Sequence, residues 1–119
     1  MIVNESRIGR RFVVLLHRGE EVSATLRRLC ERENVRSAWV RGRGVLEWAE
    51  ITEWDSAREA FRKARRIEGP LGAAALEGNV SIRMGPIDLQ LSVVVTRHSE
   101  RGIETLASTL VAASAVRLE

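Results

Sequence analysis

Residues 69–92, reading GPLGAAALEGNVSIRMGPIDLQLS, constrain the fold of this chain more than any other stretch. Gly69-Pro70-Leu71 reads as a turn that leads into an apolar run. Gly78-Asn79 offers the positive-φ backbone of a tight turn or bulge. Gly85-Pro86 breaks regular pairing just before a second strand-like run begins. Two extended, mostly apolar segments punctuated in this way predict sheet rather than helix.

The rest of the chain supplies one helix and more strands. Arg11 to His17 is a short aliphatic, β-branched run that predicts a buried strand. Gly19 closes it, and Glu20 and Glu21 stand where acidic residues favour a helix N-terminus. Val22, Leu26, Leu29 and Cys30 then share one helical face, with Arg27, Arg28, Glu31 and Arg32 opposite. Asn34 is a left-handed stop. Ser37 to Trp54 is strand-like, with a glycine break at Gly42 and Gly44, and Asp55-Ser56 marks a turn. Ala57 to Ala64 has helical composition, but its place between strands favours a hairpin arm carrying Phe61. Strands are expected over Leu71 to Met84, Ile87 to Thr96 and Leu106 to Leu118. In the last, apolar residues occupy both alternating sets, which predicts a strand covered on both sides, by the helix and by another sheet or subunit.

At 119 residues the chain has the length of one domain, 1–119, long enough to bury a core without metals or disulfides. No apolar run reaches membrane-spanning length. The first residues lack the apolar core of a secretory signal, and Cys30 is the sole cysteine, so a reducing, cytoplasmic setting is expected. Lys63 is the only lysine among nineteen basic residues, and sixteen acidic residues leave a net charge of +3. That balance is a weak electrostatic case for nucleic acid.

An ordered set of pieces carries a resemblance across roughly Arg10 to Leu118. It comprises the opening strand, Gly19-Glu20 before a helix, Gly42-Arg43-Gly44-Val45-Leu46, Gly69-Pro70-Leu71, Gly78-Asn79-Val80-Ser81, and Ser108 to Ala113. In this it resembles the plant-and-prokaryote-conserved (PPC) domain, which plants fuse to AT-hooks and which carries a DNA-binding label. The resemblance implies an α+β domain, with a mostly antiparallel sheet and one principal helix, assembling as a homotrimer. Many prokaryotic members carry a His-x-His pair and a later Gly-Gly-His-Leu that complete a metal site. Here Gln90 and Ser92 stand at the paired positions and Glu104 at the third. Amide and hydroxyl groups are poor zinc ligands, so no metal or other cofactor is expected. Gly72 stands where members often have a carboxylate.

Other motifs admit a sharp and a bland reading. Arg41-Gly42-Arg43 echoes an AT-hook core, but a sheet-bound strand cannot lie in a minor groove. Arg62, Lys63, Arg65 and Arg66 are the nucleic-acid-binding candidates, forming with Arg7, Arg10 and Arg11 a phosphate-binding rim, against the reading of a solvated basic face. Trp39, Trp48 and Trp54 read as core or subunit contacts rather than stacking platforms. His98-Ser99-Glu100 has the residue types of a triad, but consecutive side chains cannot form its relay. The expectation is therefore a non-enzymatic homotrimer, an assembly or regulatory module with weak electrostatic DNA binding, or with another protein as its partner. The alternative is a small-molecule-binding or enzymatic protein using a pocket of Gln90, Ser92 and Glu104.

Overall fold

The computed structural model of this chain describes residues 1–119 except 4, 6, 8, 83 and 84, so Met84 as a strand end lies outside the described residues. Helix α1 spans Val22–Arg32. Its N-cap is Glu21, whose carboxylate accepts from the backbone N–H groups of Ser23 and Ala24. Such capping satisfies donors that a helix start otherwise leaves open. Val22 and Cys30 are buried, Leu26 and Leu29 half-buried, and Asn34 ends the run at φ 54°. The helix therefore matches its sequence signals at both ends.

Among the described residues six strands follow: β1 Ala38–Thr52, β2 Trp54–Asp55, β3 Ala60–Phe61, β4 Arg65–Ile82, β5 Ile87–Ser99 and β6 Gly102–Leu118. The four long strands pair antiparallel in the order β1-β4-β5-β6, and β6 returns to β1, closing the sheet. Closure depends on β6 serving two partners. Its first half, Gly102 to Leu110, pairs with β5; its second half, Thr109 to Leu118, pairs with β1. Alternation directs Leu91, Val93 and Val95 of β5 inward. They meet Leu46, Ala49 and Ile51 of β1, Leu71, Ala73 and Leu76 of β4, and Ala113 and Ala115 of β6 in one core, with Val22 of α1 beside them.

Beyond its pairing with β5, the edge of β6 would expose unpaired backbone groups, and the segment leading into α1 covers it. Leu16 and Leu118 exchange two backbone hydrogen bonds, Gly19 donates to Ala115 O, and Ala115 donates to Glu20 O. Glu21 then accepts from the Ala113 N–H, and the Ser23 hydroxyl donates to Val111 O. This arrangement corrects the expected buried strand at Arg11 to His17. Only Leu16 makes a bridge and is buried, while Phe12, Val13 and Leu15 stay exposed, because the available edge takes residues 16–23 instead.

Three further expectations change. Gly69-Pro70 is not a turn between elements; it lies inside β4 as a cis peptide. Glu68 pairs with Trp48 and Leu71 with Leu46, so Gly69 and Pro70 together oppose Glu47 as a bulge, where a residue without an N–H is tolerated. Gly78 has no positive φ and sits in unbroken register between Val40 of β1 and Leu91 of β5. Its role is close approach, since a Cβ there would lie 2.0 Å from Gln90 O. Gly85, at φ 116°, does stand between β4 and β5. Ala57 to Ala64 resolves into a turn and the short strand β3, paired with β2 as a hairpin. The closing strand is buried on both faces only around Ala113, Ser114 and Ala115; Val111 and Arg117 are exposed.

Candidate functional site

Strand register places the sequence-predicted site residues on two different faces. Gln90 stands opposite Asn79, and Ser92 stands between Glu77 on β4 and Thr109 on β6. Both are exposed, on the face of β5 that alternates with the buried Leu91 and Val93. Glu104 stands opposite Arg97, which has the parity of Leu91, Val93 and Val95. Residues directly opposite across an antiparallel pair project to the same side. Glu104 is therefore off the Gln90–Ser92 face, and five residues of strand, about 16 Å, separate the Arg97 row from the Ser92 row. Its Oε2 accepts from Arg97 Nε at 2.7 Å. Gln90 donates its amide to Asp88 Oδ2 at 3.2 Å. The structure brings Gln90 and Ser92 onto one face and leaves Glu104 apart.

Ser92 opens onto a cleft of about 530 Å³. Its floor includes Ala75, Glu77, Val94 and Thr109, and its wall is the β2–β3 hairpin. Trp54 and Phe61 pair across that hairpin edge to face, with ring centroids 5.3 Å apart, and more than half of each side chain is exposed. Glu53 stands beside them, bonded to Arg65 at 2.6 Å. That hydrogen bond first, and the Arg65 charge second, hold the Glu53 carboxyl below its ordinary range. Among the described residues Ser108 Oγ, which also lines the cleft, is a buried hydroxyl without a partner. Sequence reasoning placed Phe61 on a hairpin arm, as found, but did not assign that hairpin as the wall of a cleft. Its signal was available: Trp54 and Phe61 flank Asp55-Ser56, and Asp55 Oδ1 accepts from the N–H groups of Ala57 and Arg58 as turn-forming aspartates do.

The donor set does not suit a metal ion. Ser92 and Gln90 offer neutral oxygens, the Glu104 carboxylate is engaged by Arg97 on the other face, and both histidines are exposed. Among the described residues no three His, Cys, Asp or Glu side chains form a group able to hold a metal.

Within the predicted basic rim, Arg10 pairs with Glu33 and the Arg62–Arg66 run is largely paired, while Arg7 and Arg11 make no ion pair among the described residues. Arg62 pairs with Asp55 at 3.5 Å, Arg65 with Glu53, and Arg66 with Glu68 at 2.6 Å. The Arg66 guanidinium also lies over the Trp48 ring, 4.1 Å from its centroid, which gives that tryptophan its cover. Lys63 alone of the four makes no such contact among the described residues.

Three solved structures share this architecture. A metal-containing protein of Archaeoglobus fulgidus is 20% identical, covers 99% of this chain and 81% of its own, and superposes with a TM-score of 0.87. A plant- and prokaryote-conserved (PPC) protein of Pyrococcus horikoshii is 21% identical, with coverages of 99% and 80% and a TM-score of 0.85. A proposed DNA-binding protein of Bacteroides thetaiotaomicron is 19% identical, with coverages of 95% and 78% and a TM-score of 0.80. No curated protein matches the sequence. At these identities the structures establish the fold. The sequence model of the Plants and Prokaryotes Conserved (PCC) domain matches residues 3–118. Read with the closed antiparallel sheet and its single helix, that match shows that the chain belongs to the PCC domain family.

Proposed function

We propose that residues 1–119 act as one non-enzymatic PCC module that assembles as a homotrimer in the cytoplasm and binds DNA weakly through charge. The observation that carries self-association is uncovered apolar surface. Val13 is 80% exposed, with Phe12 and Leu15 beside it on the arm that borders β6, where Val111 is exposed as well. Apolar area of this kind is what subunit contact removes from water. The number three comes from the family resemblance, and the DNA partner from the label carried by the Bacteroides structure. Native mass spectrometry tests the assembly. Three chains of 13.3 kDa give about 40 kDa for a closed ring. Val13→Asp is expected to shift that species towards monomer, and a wild-type monomer would overturn the proposal.

A second reading, small-molecule binding, is favoured by the cleft at Ser92. It would use Ser92 and Glu77 with the Trp54–Phe61 wall; Gln90 lies further along the same face, and Glu104 takes no part. Ligand-dependent thermal shifts that survive Ser92→Leu would rule this cleft out.

A further inference from the structure

We infer that the exposed face of β1 is a binding surface for single-stranded nucleic acid, with Trp39 as its stacking platform and Arg41, Arg43 and Arg117 as its phosphate contacts. This rests on the nucleic-acid part of the reading above, and moves it from Arg62–Arg66 to a different surface. Alternation along β1 puts Trp39, Arg41, Arg43 and Val45 on one side, all four exposed. Arg117 stands directly opposite Val45 on β6 and is exposed too. Trp39 is 85% exposed, the largest uncovered aromatic surface among the described residues.

Among the described residues the arginines fall into two groups, those paired within the chain and those left without a partner. Arg10, Arg18, Arg32, Arg58, Arg62, Arg65, Arg66 and Arg97 are each ion-paired to a carboxylate of this chain. Arg41, Arg43 and Arg117, like Arg7, Arg11, Arg36 and Arg101, make no side-chain bond or ion pair among the described residues, and these three share one sheet face with the exposed Trp39. Arginines left without an internal carboxylate are the ones able to take phosphates. From Trp39 to Arg43 the strand runs about 13 Å, so one aromatic and two cations lie along a single extended line. Asn79 opposite Trp39, and Gln90 opposite Asn79, continue the row with carboxamides suited to base edges. Glu77, opposite Arg41 on the same side, trims the field but is not within ion-pair distance of it.

The ligand class follows from the ring. An indole standing on a sheet face offers a π surface to an unstacked base, whereas the bases of an intact duplex are stacked on each other and out of its reach. Stacking with electrostatic tracking of the backbone is how sheet surfaces hold single strands without sequence preference.

The test uses the untagged full chain and fluorescence anisotropy with a labelled oligothymidylate of about a dozen nucleotides, its uridylate counterpart, and a duplex of equal length. Native mass spectra of each variant are recorded in parallel. Single strands are expected to bind more tightly than duplex, with the two oligonucleotides reporting whether DNA or RNA is preferred. Trp39→Ala should weaken that binding about 5- to 150-fold. Replacing Arg41, Arg43 and Arg117 together by Gln should flatten the slope of log K against log salt by about 2. Replacing Arg62, Arg65 and Arg66 should leave the slope unchanged. Duplex binding that equals or exceeds single-strand binding and ignores Trp39→Ala would overturn the inference while leaving the DNA reading standing. Absence of binding to all three ligands would remove both. Trp39→Ala that dissociates the assembly would show the face to be a subunit contact and would equally overturn the inference.

Discussion

Replacing Glu21 by alanine removes one carboxylate that joins the helix to the sheet. Its oxygens accept from three backbone donors: Ser23 N at 3.2 Å, Ala24 N, and Ala113 N at 3.1 Å on β6. The first two are helix-start donors, and losing such a cap costs about 0.5–2 kcal/mol. The third belongs to a fully buried alanine, and a hydrogen bond to a charged acceptor contributes about 1.5–3 kcal/mol. Glu21 is half-buried, so water can partly replace it and the lower half of each range applies. Together these give about 2–3 kcal/mol for Glu21→Ala, or about 6–12 °C in Tm for a domain of this size. Glu21→Gln keeps one acceptor oxygen and should lose about 1 kcal/mol. Urea unfolding followed by circular dichroism measures both, at fixed protein concentration because assembly shifts the midpoint. Glu31→Ala, on the exposed side of the same helix, is the control and should stay within about 0.5 kcal/mol of wild type. A Glu21→Ala loss no larger than this control would refute the idea that the cap ties α1 to the β6 edge.

Gly78→Ala places a methyl group 2.0 Å from Gln90 O and 2.8 Å from a Leu91 methyl. Backbone on the partner strand cannot yield cheaply, so a loss of about 1–3 kcal/mol is expected, whereas Gly9→Ala, with open space around it, should be near neutral. Thermal melts of the two variants decide this. Burial, and then the Glu31 charge, push the Cys30 thiol up. Because the folded value lies above the unfolded one, stability is unaffected below the unfolded pKa, about 8.5, and falls as pH rises beyond it. The chain has no tyrosine and one lysine, so few other groups ionise in that window. Cys30→Ala should flatten the alkaline decline, and the native thiol should react with Ellman's reagent far more slowly than the unfolded one.

The helix was legible because its signals are local. An acidic cap, apolar residues at helical spacing and an asparagine stop act within a dozen positions, and the structure places all three as read. The antiparallel sheet was legible for the same reason, through alternation. Signals that serve two geometries misled. Gly69-Pro70 suits a turn and a bulge equally, and only the pairing of Leu46 with Leu71 decides between them. Gly78 suits a positive φ and a close approach, and only the position of Gln90 O decides. Arg11 to His17 carries strand composition, but which residues pair is set by the length of β6 edge left bare beyond β5.

The candidate site shows the same division between local and distant causes. That Gln90 and Ser92 share a face follows from a spacing of two on one strand. Where Glu104 points depends on the register across the β5–β6 hairpin, and a shift of one residue there would turn it to the other side. The observed register gives it Arg97 as a partner, so its charge is already balanced by this chain. Arg62, Arg65 and Arg66 look in sequence like an unopposed cationic run, yet the β2–β3 hairpin and β4 itself bring Asp55, Glu53 and Glu68 to them. A run of like charge thus says little about field until its partners are placed. On β1, by contrast, alternation puts Trp39, Arg41 and Arg43 together, and although Glu77 stands opposite Arg41 on the same side, none of the three makes an ion pair among the described residues. Single-strand binding of the kind inferred for the β1 face should therefore fail first on removal of those two arginines and Arg117, rather than of the longer basic run.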